Sequence, residues 1–189
     1  MNRILVLGLL TLVHATHVQK PQNEWAVAQA QIRRLAPGAF PQLPKNIAKY
    51  LRSHRCTIPQ TYASAKPHNV TRGQFMRKGQ TDWAVLCGRN GRSSILIFWG
   101  GSTERVSEIE KLPDENLLQR IDDGQIGYSR VIYAVGKKYI IDHYRAYRES
   151  GASKPPPIDH EGIEDGFLEK ASTVHYYYLG KWLKLQGAD

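Results

Sequence analysis

The chain has 189 residues, of which 41% are hydrophobic and 23% charged, and four tryptophans; this composition is that of a globular domain and excludes a disordered chain. Its formal net charge is +9, and this excess of basic residues favours anionic partners such as nucleic acid, phosphate-rich envelope polymers or lipid surfaces. Many basic proteins carry such a charge without a specific target, so the charge alone assigns no partner.

Residues 1–15 have the pattern of a cleavable secretory signal peptide. The basic residue Arg3 precedes an uncharged apolar run over 4–13, which small or modest residues follow. We expect cleavage after Ala15, with cleavage after His17 as the second choice. The run is too short to cross a bilayer, which takes roughly 20 residues, and no later segment is long enough. A buried N-terminal helix is the alternative. The signal peptide predicts an exported protein without a membrane span, in the periplasm or outside the cell.

Two helices are predicted in the first third of the chain. Residues 16–40 are expected to form an N-terminal helical segment, with a helix over 22–35 because apolar residues recur there at steps of three and four. Pro37 ends this helix. A second helix is predicted from Pro44 to about His54, since proline suits the first turn and an apolar face follows it.

Short strands are predicted after the second helix. They cover 69–75, 82–87, 93–99, 127–135, 138–147, 173–179 and 181–185, and 163–168 is either a strand or a short helix. Asn90–Gly91 predicts a hairpin turn, and the polar stretch 102–123 is expected to be partly helical. Helices followed by strands predict an α+β fold for a single domain over 41–189. In it, N-terminal helices pack on a mainly antiparallel sheet of about six to eight short strands.

The two cysteines, Cys56 and Cys87, allow two interpretations. In an oxidising compartment they can form a disulfide that ties the second helix to the central hairpin. Alternatively each thiol is buried separately as a small apolar group. The sequence favours the disulfide only slightly over separate burial.

Two segments carry a resemblance to a known family. Residues 73–86 read GQFMRKGQTDWAVL, and residues 163–182 end in a tyrosine-rich strand, a glycine turn and a tryptophan. Together they resemble small exported bacterial proteins of unknown function that hold a single degenerate FG-GAP-like unit. In FG-GAP units an acidic loop binds calcium through carboxylates at alternating positions. Here Gln74, Met76 and Lys78 occupy those positions, so calcium binding is not carried over.

Polar side chains in the C-terminal half are the candidates for chemistry. The candidate residues are Asp142, His143, Asp159, His160, Glu161 and His175. With Glu164 and Asp165 they could build a His/carboxylate zinc site or an acid–base pair. Their spacing matches no metal-binding motif, and the chain has neither a nucleophile elbow nor a P-loop. The sequence therefore assigns no catalytic residue, no metal and no cofactor.

Two classes of function stay open. The first is a non-catalytic exported domain that binds a partner, either an anionic envelope component or another exported protein. The alternative is a hydrolase with a His/Asp/Glu site in the C-terminal half. Tyrosines interleaved with cations could stack sugars or bases, but tyrosine also suits half-buried strands. No nucleic-acid-binding module is recognisable, which disfavours nucleic acid as the partner.

Overall fold

The structure of this chain is a computed structural model that describes residues 23–147 and 154–188. The predicted signal peptide lies outside the described residues. Among the described residues the fold is mostly β, with 12 strands in four antiparallel sheets and only 3 short helices; 25% is helical and 41% is strand. The prediction of N-terminal helices packed on a single sheet is therefore wrong.

The N-terminal part contributes less helix to the core than the sequence predicts. Its elements are α1 (Glu24–Gln31), β1 (Arg34–Leu35), α2 (Lys45–Ser53) and β2 (Ile58–Pro59), and β1 pairs with β2 in a small antiparallel sheet. The helix α1 is short and buries none of its own residues completely. The helix α2 buries an apolar face through Ile47, Ala48 and Leu51, whereas α1 packs only the partly buried Trp25 and Ala28 against the core. These two short helices do not form the helical layer of the predicted α+β fold, and a large part of the core lies between sheets.

The first large sheet is the centre of the molecule. Its strands are hydrogen-bonded in the order β3 (Val70–Gly73), β4 (Asp82–Arg89), β5 (Arg92–Phe98) and β6 (Val106–Pro113). β4 and β5 are buried on both faces, since Val85 faces α2 whereas Leu86 faces a second large sheet. Their turn has φ of 50° at Asn90 and 70° at Gly91, which is the left-handed backbone that the predicted hairpin requires.

A second large sheet packs on the other side of the first. A small sheet of β7 (Leu118–Arg120) and β8 (Ile126–Tyr128) leads to it. Its four strands are β9 (Arg130–Val135), β10 (Gly162–Phe167), β11 (Ala171–Tyr178) and β12 (Lys181–Gln186), hydrogen-bonded in that order. The helix α3 (Lys137–Tyr147) covers its outer face and buries Ile140 against Val174 and Tyr176.

Two predicted segments differ from the structure. Residues 138–147 form α3 rather than a strand, because side chains four residues apart meet: the ring of Tyr139 lies 3.9 Å from that of His143, and Lys138 pairs with Asp142. The stretch 102–123, predicted to be partly helical, is half strand: it holds β6 and β7, and its helical residues lie in short 3₁₀ turns such as Asp114–Leu117.

The two large sheets are joined along one side by the buried side chain of Asn69. Its Nδ2 donates to the carbonyl oxygens of Pro59 and Arg130, at 2.7 and 3.1 Å, and its Oδ1 accepts from the backbone N–H of Ile132 at 3.0 Å. Asn69 adopts φ of 70°, which asparagine tolerates better than most residues. The start of β3 is thereby fixed to β9, and the opposite strands β6 and β12 remain the free edges of the two sheets.

Cys56 and Cys87 form a disulfide, with 5.2 Å between their Cα atoms. The pair connects the end of α2 to β4, and both cysteines are buried in the apolar cluster between this helix and the first large sheet. The structure thus decides between the two interpretations of the cysteines. A disulfide fits an exported protein, because such bonds persist in oxidising compartments. None of the helices among the described residues is long and apolar enough to cross a membrane.

Candidate functional site

A cleft of about 330 Å³ opens where the two large sheets are not joined. On one side lie β6 and the 3₁₀ turn after it, with Glu110, Leu112 and Asn116; on the other lies the inner face of β10, β11 and β12. The cleft exists because β6 and β12 are edge strands that make no hydrogen-bonded ladder with each other. Polar side chains from five strands reach it.

A buried ion pair forms the floor of the cleft. Arg130 of β9 donates from Nε to Asp165 Oδ1 and from Nη2 to Asp165 Oδ2, both at 2.8 Å. The same guanidinium donates to the carbonyl oxygens of Ser93 and Glu110, both at 2.9 Å. Arg130 is 1% exposed, so these bonds replace the water that its charge has lost. The pair therefore links both large sheets beneath the cleft.

His175 lies beside this ion pair and is also buried, at 2% exposure. Its Nε2 is 3.6 Å from Asp165 Oδ2, which is beyond hydrogen-bond distance, and it has no hydrogen-bond partner among the described residues. A buried ring nitrogen without a partner costs free energy, because water no longer solvates it. His175 lines the cleft, so a ligand in the cleft can approach this ring.

A β-bulge shapes the rim of the cleft. The register between β5 and β6 shifts after Ser93, and Glu110 of β6 adopts φ of 48°, a conformation that non-glycine residues rarely adopt. The bulge directs the Glu110 carbonyl oxygen to Arg130 and its side chain to Lys184 of β12, at 2.8 Å from Nζ. Lys184 is 64% exposed, so this ion pair is a weak bridge across the mouth of the cleft.

The electrostatics of the floor keep both partners charged. Burial by itself raises the pKa of Asp165, but the neighbouring His175 and Arg130 outweigh it and hold that pKa below its ordinary value. Burial likewise opposes the charge of Arg130, yet its bonds to Asp165 raise the pKa of the guanidinium. The carboxylate of Asp165 is thus a fixed anion whose two oxygens are both occupied.

The candidate residues named from the sequence do not converge. Asp142 and His143 lie on α3, where Asp142 pairs with Lys138 and His143 contacts the ring and carbonyl oxygen of Tyr139. His175 faces the cleft on the other side of the second large sheet. Of the six candidates, only His175 lines the cleft.

The remaining three candidates lie just before β10. The ring of His160 stacks on Tyr176 at 4.3 Å, and Asp159 accepts a hydrogen bond from the Tyr176 hydroxyl. Glu161 accepts from the backbone N–H of Gln74 at 2.7 Å, which fixes the loop before β4. In the part of the chain that the structure describes, no three His, Cys, Asp or Glu side chains are placed to hold a metal ion.

Arg130, Glu110 and Lys184 belong to the cleft but are not among the predicted residues. The sequence gives only a weak indication of these residues. Arg130 and its partner Asp165 each interrupt an alternation of inward-facing apolar residues, and a charged residue on such a face indicates a buried ion pair. Lys184 stands opposite His175 in the ladder between β11 and β12. Only this pairing register brings its ammonium group to the cleft.

The loop that carries the FG-GAP resemblance is organised by Asp82. Its Oδ2 accepts from the backbone N–H groups of Phe75 and Met76 at 2.9 and 3.0 Å. Its Oδ1 accepts from the Gly100 N–H and the Gln80 side chain, both at 2.7 Å. The carboxylate is completely buried, and its bonds close the loop onto the first large sheet. The described structure thus gives Asp82 a structural role.

Replacing Asp82 by asparagine is expected to lower the free energy of unfolding by about 2 kcal/mol, because an amide NH₂ group would face backbone donors in a buried site. Urea denaturation measures this change, and Glu104→Gln, which alters an exposed carboxylate, is the control. Calcium is expected to leave the unfolding midpoint of the wild-type protein unchanged. Stabilisation by calcium that disappears in Asp82→Asn would contradict this interpretation of the loop.

Comparisons with known proteins give no match: no family model, no curated protein and no solved structure is significantly similar to this chain. The resemblance to FG-GAP-like exported proteins therefore stays a prediction.

Proposed function

We propose that the chain is an exported, non-catalytic binding protein, and that the cleft between the two large sheets holds a small anionic ligand or an anionic group of an envelope component. The observation that carries this proposal is His175, which lines the cleft and whose buried Nε2 has no hydrogen-bond partner among the described residues. A ligand oxygen would satisfy this nitrogen and lower the cost of burying it.

The hydrogen-bonding capacity of the cleft favours an anion with acceptor oxygens. Both oxygens of Asp165 accept from Arg130, and Glu110 Oε1 is paired with Lys184. Donor capacity remains on the exposed ammonium group of Lys184 and on the ring of His175. A carboxylate could displace Glu110 from Lys184 and approach His175 at the same time. The volume of about 330 Å³ suits a small ligand.

The arrangement supports binding rather than hydrolysis. A hydrolase of the predicted kind needs a histidine base beside a nucleophile or a metal-bound water. The Nε2 of His175 has no hydrogen-bond partner among the described residues, and the other two histidines of the predicted site, His143 and His160, do not line the cleft. Two features support export: the predicted signal peptide, and the disulfide, which forms in oxidising compartments. We place the protein in the periplasm or outside the cell.

The proposal is tested with ¹⁵N-histidine NMR on the exported protein. Small carboxylates such as citrate and succinate are titrated, and neutral sugars serve as non-ionic probes. Carboxylates are expected to shift the ring nitrogen signals of His175. Lys184→Gln is expected to weaken this binding about tenfold, because one charge-assisted hydrogen bond contributes roughly 1.5 kcal/mol.

Lys181→Gln is the matched control, because it removes the same charge from the same strand. Lys181 pairs with Tyr178 in the ladder, three residues from Lys184, and therefore lies on the other face of the sheet. Equal weakening by both variants, or equal shifts with neutral sugars, would show that the cleft is not an anion site.

A further inference from the structure

A second concave surface lies on the far side of the first large sheet, next to the disulfide, and three arginines line it. It has a volume of about 270 Å³ and is lined by Arg34, Arg55, Arg89 and His54, with no acidic side chain in its wall. We call these residues and the volume between them the arginine pocket. The turn of the β4–β5 hairpin, the end of α2 and β1 bring the three guanidinium groups together.

Two of these arginines pair with carboxylates, and most N–H donors of each guanidinium group remain unused. Asp114 accepts from Arg34 Nη2 at 2.8 Å, and Glu108 accepts from Arg89 Nη2 at 3.1 Å. Neither carboxylate lines the pocket. Each bond fixes a guanidinium while its other N–H groups stay available. Arg55 has no ion-pair or hydrogen-bond partner for its side chain among the described residues, so it carries an uncompensated charge at the pocket.

Glycine at position 88 makes room for the guanidinium of Arg34. A Cβ atom at Gly88 would lie 2.5 Å from Arg34 Nη1, a distance that no side chain tolerates without movement. Gly88 follows Cys87, and Arg55 precedes Cys56, so the disulfide holds both walls of the pocket. The backbone positions of Arg55 and Arg89 are therefore held next to the buried disulfide, although Arg55 is exposed and Arg34 and Arg89 are partly exposed.

The backbone at Arg55 adds an independent observation. Arg55 has φ of 54° and follows the last turn of α2, where the backbone N–H of Cys56 donates to the carbonyl oxygen of Leu51 at 2.9 Å. Glycine is the usual residue at such a helix end, because a side chain is strained in the left-handed conformation. An arginine at this position lowers the stability of the fold, and it places a guanidinium group at the pocket.

We propose that the arginine pocket binds a tetrahedral oxyanion of the phosphate or sulfate type. Guanidinium groups recognise such anions through several directed N–H donors, and three of them around one volume can contact oxygens that point in different directions. A planar carboxylate has only two oxygens and would leave part of this donor set unused. This site is separate from the cleft between the sheets and goes beyond the function proposed for it.

The test uses the exported protein with its disulfide intact and inorganic phosphate and sulfate as probes, measured by NMR titration at two salt concentrations. We expect Arg55→Gly to weaken binding at least tenfold and, at the same time, to raise the urea midpoint of unfolding, because it relieves the backbone strain. Arg72→Gln, on an exposed arginine of β3, removes the same charge and is expected to leave binding within twofold. Lys184→Gln in the cleft is also expected to leave it unchanged.

Two further arms identify the source of the oxyanion. Vesicles of phosphatidylglycerol mixed with phosphatidylcholine are compared with soluble polyphosphate of defined length. Arg55-dependent binding to vesicles indicates a lipid headgroup; binding to polyphosphate or inorganic phosphate alone indicates a soluble or polymeric ligand. Absence of oxyanion binding by the wild-type protein, or equal affinities for Arg55→Gly and Arg72→Gln, would overturn the proposal. Loss of binding in Lys184→Gln but not in Arg55→Gly would move the anion to the cleft.

Discussion

Replacing Arg130 by methionine is expected to lower the free energy of unfolding by about 3–5 kcal/mol, which is the usual cost of leaving one partner of a buried ion pair without the other. Asp165 would remain buried, without the two hydrogen bonds that now hold its carboxylate. The carbonyl oxygens of Ser93 and Glu110 would also lose a donor, so both large sheets are affected. Urea denaturation measures the loss.

The double variant Arg130→Met/Asp165→Leu separates the charge effect from packing. Because it removes both charges, it is expected to recover at least half of the stability that Arg130→Met loses. The exposed Arg72→Met is the control for arginine replacement and is expected to change stability by less than about 0.5 kcal/mol. If Arg130→Met is as stable as Arg72→Met, or if the double variant is less stable than Arg130→Met, the ion pair does not stabilise the fold in this way.

The same ion pair predicts how stability depends on pH. The folded-state pKa of Asp165 lies below its unfolded value of about 3.9. The stability that this carboxylate contributes is therefore complete above pH of about 4 and is lost as the pH falls through the lower folded-state pKa. In Arg130→Met the guanidinium that helps His175 to lower this pKa is gone, and this part of the acid dependence should shrink. Urea midpoints measured between pH 2.5 and 6, without added ligand, are a direct readout.

Removing the disulfide is the second change with a large expected effect. The variant Cys56→Ala/Cys87→Ala is expected to lose about 3–4 kcal/mol, because the bond closes a loop between residues 31 positions apart and so restricts the unfolded chain. Wild-type protein kept reduced should unfold at nearly the same urea concentration as the double variant. A reduced protein as stable as the oxidised one would show that the bond does not stabilise the fold.

Several elements could be predicted because the local sequence determines them. The helix α2 begins after Pro44 as expected, since proline favours a helix start and the residues that follow place one apolar face on the sheet. The hairpin of β4 and β5 follows from Asn90–Gly91, whose backbone readily adopts positive φ. For residues 138–147 the sequence predicts a strand, because their aromatic and aliphatic side chains suit either structure; the packing of Ile140 against Val174 and Tyr176 favours the helix α3.

Long-range pairing decided what the sequence left open. Cys56 and Cys87 are the only cysteines, yet whether they pair depends on where α2 rests on β4, and the packed apolar cluster brings them together. In the same way, the sequence indicates Asp142, His143 and His160 as strongly as His175. In the folded protein His175 faces the cleft, whereas its neighbour Tyr176 faces the opposite side of the sheet, because consecutive residues of a strand point to opposite sides. The helix α3 and His160 lie on the side of Tyr176 and are thereby separated from His175.

By itself, the sequence determined a basic globular chain with a signal-peptide pattern, the helix α2, the central hairpin and a single possible disulfide. Only the tertiary structure decided that the core lies between two sheets and that Glu110, Arg130, Asp165 and His175 meet in one cleft. These four residues come from four strands, and their contacts depend on the pairing register and on the bulge at Glu110. Register is a property of the packed sheets, since a shift of one residue would turn each side chain to the opposite face.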